Sequence, residues 1–218
     1  MNNEIQLIGH YGGDIEHACS AWTSTSRDLT DEKRARIPKM LEDLAVKGHH
    51  TPFEKSALHF LVTCEQASHI HLLKHRIGVS INAESARYKE LKEDRFYVPP
   101  DWPELERDML TDHCFQCFKR YHDCLSRLEA GGMSRKRAKE SARFYLPYAS
   151  QIQIDVMFNW RSFMHFQGLR NSPKAQEEIH AIADEMLRKV WRLLGSPFEH
   201  SIEAFMKEGS IPNDFMPL

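Results

Sequence analysis

Residues 103–132, PELERDMLTDHCFQCFKRYHDCLSRLEAGG, set Leu110, Cys114, Cys117, Tyr121, Cys124, Leu125 and Leu128 three or four positions apart. That spacing puts them all on one face of a helix. Gly131 and Gly132 close it, because glycine takes the turn that ends a helix at little steric cost. An apolar stripe of this length is stable in water only when other elements cover it, so the rest of the chain must supply a core.

Three segments read as strands: IQLIGHY (5–11), SALHFLVTCE (56–65), with β-branched and aromatic content, and QIQIDVMFNW (151–160). DEKRARIPKMLEDLAVKG (31–48) carries Ile37, Met40, Leu41 and Leu44 as a helical stripe ending at a glycine. ASHIHLLKHR (67–76) opens a helix and presents Lys74, His75 and Arg76 near an element end. SRKRAKESARFYL (134–146) starts at Ser134 as N-cap and stops before Pro147, and AQEEIHAIADEMLRKVWRLL (175–194) is a further helix. The prediction is an α+β fold, a small, mostly antiparallel sheet packed with several long helices. No linker or repeat divides the 218 residues, so a single domain over 1–218 is expected.

With 41% hydrophobic and 28% charged residues the composition is that of an ordinary soluble protein and excludes a disordered chain. No apolar run approaches the roughly eighteen residues that cross a bilayer, and MNNEIQLIGHYGG lacks a basic region followed by an apolar one, so a cytoplasmic location is expected. Five cysteines, an odd number, fit free thiols in a reducing compartment. A net charge of −2 gives no general attraction to nucleic acid or to a membrane, so any anion must be bound by local arrangement.

HCFQCFKRYHDC (113–124) has the residue types of a zinc site. There is no second Cys-x-x-Cys, however, and the cysteines share the helical stripe, where a thiol packs as a small hydrophobe; no metal is expected. His49 and His50 lie in the loop KGHHTPFEK, where a capping box of Thr51 and Glu54 around Pro52 would leave them solvent-exposed. Arg143 in SARFYLP, Arg161 in MFNWRSFMHF and Arg170 in FQGLRN are flanked by apolar residues. Buried guanidiniums need an acceptor, either an internal carboxylate such as Asp155 or Glu177 or an anionic ligand such as a phosphate. Neither nucleotide-binding glycine fingerprint nor a G-x-S-x-G elbow is present, and no cysteine has the setting of a nucleophile. An enzyme built this way leaves its chemistry to a cofactor.

KHRIGVSINAESARY (74–88) resembles the signature of the flavin-dependent thymidylate synthases, Arg-His-Arg, seven residues, then Ser, usually continued by Arg-Tyr. GHHTPFE, SARFYLP and FNWRSFMHFQGLRNSPKAQEEI resemble three further segments of that family in the same order, over about residues 48–180. The resemblance implies the fold of that family and a homotetramer that holds FAD and methylates dUMP to dTMP. The methylene would come from 5,10-methylenetetrahydrofolate and the hydride from FAD reduced by NADPH. Nucleotide and folate are then the partners, without nucleic acid or membrane.

On the flavin, the resemblance places Thr51, Glu54, Lys74, His75, Arg76, Asn82, Asn159, Arg161 and His165, with Ser20 as a phosphate contact. On the nucleotide it places His71, Glu84, Ser85, Ala86, Arg87 and Arg143. Arg170 falls beside the pyrimidine, and Arg170, Ser85 and His49 are the implied catalytic residues, His49 on the folate and nicotinamide side. The chain departs from the pattern at Lys74, which keeps charge but loses arginine's planar fork, and by eight residues in place of seven between Arg76 and Ser85. The extra residue is most simply absorbed around Gly78 and Val79. These departures leave two rivals: a related pyrimidine modification such as hydroxymethylation, and a flavin- or nucleotide-binding protein without turnover.

Overall fold

A computed structural model of the chain describes residues 2–213 and 215. Its strands are β1 (Glu4–Tyr11), β2 (Ala57–Glu65), β3 (Val79–Ala83) and β4 (Gln151–Asn159). They form a four-stranded antiparallel sheet in the order β1-β2-β4-β3. The helices are α1 (Asp14–Ala21), α2 (Asp31–Val46), α3 (Gln66–Leu73), α4 (Glu104–Ala130), α5 (Arg135–Ala142), α6 (Trp160–Arg170), α7 (Glu177–Trp191) and α8 (Glu199–Glu208).

The long stripe is indeed one helix, α4, capped by Gly131. Cys114 and Cys117 are buried along it, and among the described residues no group of three or more His, Cys, Asp or Glu is arranged to hold a metal ion. Ser134 caps α5 through its hydroxyl, as its position predicts. Two of the boundary shifts bear on candidate residues. α5 stops at Ala142, and Arg143–Tyr145 tighten into a 3-10 turn before Pro147. β4 ends at Asn159, whose side chain accepts from the Ser162 N–H and opens α6, so Trp160 is helical. α1, β3, α6 and α8 go beyond the elements read from the sequence, and each is short, 8, 5, 11 and 10 residues respectively. No helix among the described residues is long and apolar enough to cross a membrane.

The chain gathers into two compact units. The first comprises residues 2–4, Val62–Leu72 and Asn82–Ile154. Here α4 and α5 enclose Leu91, Tyr121, Leu125, Ala138 and Ala142, while Phe96, Cys114 and Phe118 form a second cluster. The second comprises Ile5–Leu61, Leu73–Ile81 and residues 155–213 with 215. Its core is aromatic: Phe53, Phe158, Trp160, Phe163, Phe166 and Phe205 are all buried, and Trp160 stacks on Phe198 with ring centroids 4.7 Å apart.

Candidate functional site

Within the second unit, the segment after α3 turns back on the start of α6. Gly78 takes φ +65°, a conformation that side chains other than glycine's rarely adopt. Its carbonyl accepts from Asn159 N (2.9 Å), and the Ser162 hydroxyl donates to the Ile77 carbonyl (2.6 Å). A Cβ built on Gly78 would lie 2.2 Å from Asn159 Nδ2 and 2.4 Å from Ser162 Oγ, so the turn and the α6 N-terminus fit only with glycine between them. Gly78 therefore sits in a turn locked to α6, and β3 begins immediately after it.

This turn lines a cavity of about 550 Å³ that also receives His50, Glu54, the Lys74–Arg76 stretch and the outer face of α6. Asn159, Arg161, His165 and Arg170 all reach it. Arg161 Nη1 donates to Glu54 Oε1 at 2.6 Å, so Glu54 orients the guanidinium and does not close a capping box. Arg170 Nε donates to His75 Nε2 at 3.2 Å. That nitrogen must then carry a lone pair, which places the proton of a neutral His75 ring on Nδ1. His75 is buried edge-on against Phe166, with ring centroids 5.1 Å apart, which fixes the acceptor under Arg170.

A second cavity, of about 1120 Å³, shares Glu54, Val79 and Asn159 with the first. Ser20, Arg27, Ser56 and Ser80 line it. The resemblance-derived flavin residues Glu54, Lys74, His75, Arg76, Asn159, Arg161 and His165 thus converge on the first cavity with Arg170, and Ser20 lies on the second. Thr51 is exposed at the start of a 3-10 turn and lines neither. His49 faces a groove on α2 with Arg36, Lys39 and Lys47, while its neighbour His50 enters the first cavity.

The first unit holds the remaining candidates. Asn82 is exposed on β3, and His71 is half-buried on α3. Glu84 pairs with Lys89 (2.6 Å), its backbone N–H donates to the Gln153 carbonyl (2.8 Å) and its carboxylate accepts from Gln153 N (3.2 Å). Ser85 Oγ accepts from Arg87 N (3.3 Å), and Ala86 packs on the Leu91–Tyr121 cluster. Arg87 is exposed and donates to Glu140 at 2.5 Å, a bond that holds the Glu140 carboxyl below the usual range. Arg143 is exposed beside Phe144 and Tyr145.

Apolar neighbours in sequence therefore misled on burial: Arg143 and Arg161 are exposed and Arg170 is only half-buried. On α6 the 3.6-residue period sends Phe163 and Phe166 inward and Arg161 and His165 outward. The internal carboxylates are also different from those expected, since Asp155 pairs with His59 (2.7 Å) and Arg161 uses Glu54. Sequence reasoning missed His50, Ser56 and Ser162. An Asn followed three positions later by a serine at a strand end was the available signal for Ser162.

The family model described as thymidylate synthase complementing protein matches residues 6–194 of the chain. This chain belongs to that family. Two relatives named flavin-dependent thymidylate synthase agree along most of their length. That of Pseudothermotoga lettingae is 33% identical over 82% of this chain and 80% of its own. That of Clostridium tetani is 32% identical over 81% of this chain and 74% of its own. Among solved structures, the UMP/dUMP methylase PolB of Streptomyces cacaoi bound with 5-Br dUMP superposes with a TM-score of 0.79 at 25% identity, covering 96% of this chain and 97% of that one. The chain keeps the fold of its structural relative over nearly its whole length.

Proposed function

We propose that this chain is a flavin-dependent thymidylate synthase, a methyltransferase that converts dUMP to dTMP. The observation that carries the reading is the convergence of Lys74, Arg76, Arg161 and Arg170 on one cavity in a chain of net charge −2. A local excess of donors is what a phosphate-bearing, carbonyl-rich flavin nucleotide requires. Cavities of about 550 and 1120 Å³ suit a ligand of that size. FAD, when bound, supplies the hydride; NADPH and 5,10-methylenetetrahydrofolate are the proposed co-substrates, in a cytoplasmic homotetramer.

The residues divide the remaining work. Arg161, oriented by Glu54, and the Lys74–Arg76 stretch hold the cofactor, with Asn159 at the junction of the two cavities. Arg170 commits one N–H to His75 and keeps its other donors for a carbonyl oxygen of the pyrimidine, where negative charge grows as the ring is activated. Ser85, Arg87 and Arg143 are assigned to the nucleotide, the guanidiniums to its phosphate. His49 is assigned to the folate and nicotinamide side.

Purified protein should be yellow, release FAD on denaturation, and form dTMP from dUMP only when methylenetetrahydrofolate and NADPH are both present. Colourless protein that cannot be loaded with FAD overturns the reading. Product mass separates methylation from hydroxymethylation, which differ by one oxygen, and complementation of a thymidine-requiring strain separates turnover from mere binding. A second reading, methylation of UMP as well as dUMP, is favoured by the 0.79 TM-score to a methylase named for both nucleotides. Parallel assays with UMP and dUMP decide it.

A further inference from the structure

One wall of the second cavity is built by a buried hydrogen-bond chain that the flavin-holding residues do not use. Ser56 sits where the 3-10 turn Thr51–Lys55 meets β2, and its hydroxyl lies 2.7 Å from His17 Nε2. His17 Nδ1 lies 2.9 Å from Ser201 Oγ, and Ser201 Oγ lies 2.5 Å from Asp14 Oδ1. Asp14, His17, Ser56 and Ser201 are all buried.

The direction of this chain follows from its far end. Asp14 accepts from two backbone groups that can only donate, His200 N (2.8 Å) and Ser201 N (2.9 Å), at the first turn of α8. Burial pushes the Asp14 pKa up, and the bonds from Ser201 and His200 oppose that rise; with a backbone N–H on each oxygen, Oδ1 and Oδ2 both act as acceptors. The Ser201 hydroxyl therefore gives its single proton to Asp14 and must accept from His17 through Nδ1–H. Burial keeps the His17 ring neutral, so Nε2 bears a lone pair. Ser56 then spends its only proton on Nε2, and what remains on its oxygen is acceptor capacity.

Capping α8 needs only the Asp14 carboxylate. The further links through His17 lead away from α8 and end at the cavity wall. Of the charged groups around the chain, His200 faces Asp14 from α8, and Glu54 and Lys55 precede Ser56 in the turn. Neither of the latter two bonds to the Ser56 hydroxyl among the described residues.

We propose that Ser56 is a binding residue of this cavity, held by Asp14, Ser201 and His17 as a hydrogen-bond acceptor for an N–H or O–H group of the occupant. The assignment rests on the flavin reading, because FAD carries such donors on its ring imide, its sugar hydroxyls and its adenine amine. Asp14, Ser201 and His17 are positioning residues: they set which way the Ser56 hydroxyl points without touching the ligand.

Two measurements test this. In flavin-free protein with ¹⁵N-labelled histidine, His17, identified by loss of its signals in His17→Gln, should be neutral with its proton on Nδ1. A proton on Nε2 reverses the chain and overturns the proposal. FAD titration should then show Ser56→Ala binding about three- to tenfold more weakly than wild type, the range of one neutral hydrogen bond. Ser56→Cys, close in size and a weak acceptor, should fall between them and carries the comparison if the alanine variant does not fold. The His17 ring signals of the wild type should move on FAD addition. Equal FAD affinity in all three proteins, or unmoved His17 signals, overturns the role of Ser56 alone. Failure of the wild type to bind FAD overturns the flavin reading and, with it, the occupant assigned to Ser56.

Discussion

The cavities of the second unit and the arginine-bearing surface of the first handle polar groups in opposite ways. Around the cavities, Asp14, His17, Ser56, His75 and Ser201 are buried, and each has a fixed internal bond. On the other surface, Arg87 and Arg143 are exposed, and Arg87 has only Glu140 as an ion-pair partner among the described residues. A buried polar group that loses its partner keeps its full desolvation cost, whereas an exposed ion pair is screened and replaceable. The first arrangement gives rigidity, and the second leaves Arg87 held by an ion pair that the phosphate of the proposed nucleotide would have to displace.

The largest expected effect comes from acid. Burial pushes the His17 pKa down to about 3, against 6.5 for an unburied ring. Between those values the unfolded chain binds a proton that the native one refuses, so stability falls as pH drops from about 6.5 toward 3. The loss approaches about 4–5 kcal/mol over that interval. Chemical denaturation across this range should show it, and His17→Gln should flatten the acid limb. An unchanged limb would mean that the ring is not buried as a neutral base.

Next in size is Gly78→Ala. Its methyl group meets Asn159 and Ser162 and its backbone needs φ +65°, so about 1–3 kcal/mol of stability and most FAD binding should be lost. A melt and a flavin titration measure the two losses, and a variant that binds FAD normally would show that the turn is not clamped to α6.

On the exposed side the pattern should invert. Arg87→Ala and Arg143→Ala should weaken dUMP binding about ten- to hundredfold while leaving the melting temperature and FAD affinity nearly unchanged. Isothermal titration with each ligand checks this; equal loss of both ligands would erase the contrast between the regions. The smallest effect is expected from Glu140→Gln, which frees Arg87 from its carboxylate. Stability should barely move, and dUMP should bind the same or slightly tighter; weaker binding would show that Glu140 orients Arg87 for the phosphate.

The sequence made the two regions unequally legible. α4 declared itself through seven stripe residues, and α5 through Ser134, because periodicity and capping are local. The four motif segments located most of the first cavity, since Glu54, His75 and Arg161 stand at motif positions. The relay could not be read this way: Asp14 and Ser201 are 187 positions apart, and neither stands in a motif. Likewise, whether Arg161 is buried depends on the phase of α6, which a run of flanking aromatics conceals. His49 and His50 were distinguishable only once the end of α2 fixed which of them turns into the cavity.

The bond between Asp14 and the first turn of α8 also has a meaning in time. Synthesis delivers α1 and β2 early, and Ser201 emerges only after nearly all of the second unit. Contacts of such separation close late and slowly. Until α8 leaves the ribosome, His17 lacks its partner on Nδ1, and the Ser56 hydroxyl can point either way. The cavity wall therefore acquires its polarity as one of the last acts of folding, and a nascent chain stalled before α8 should hold a flavin less tightly than the finished one.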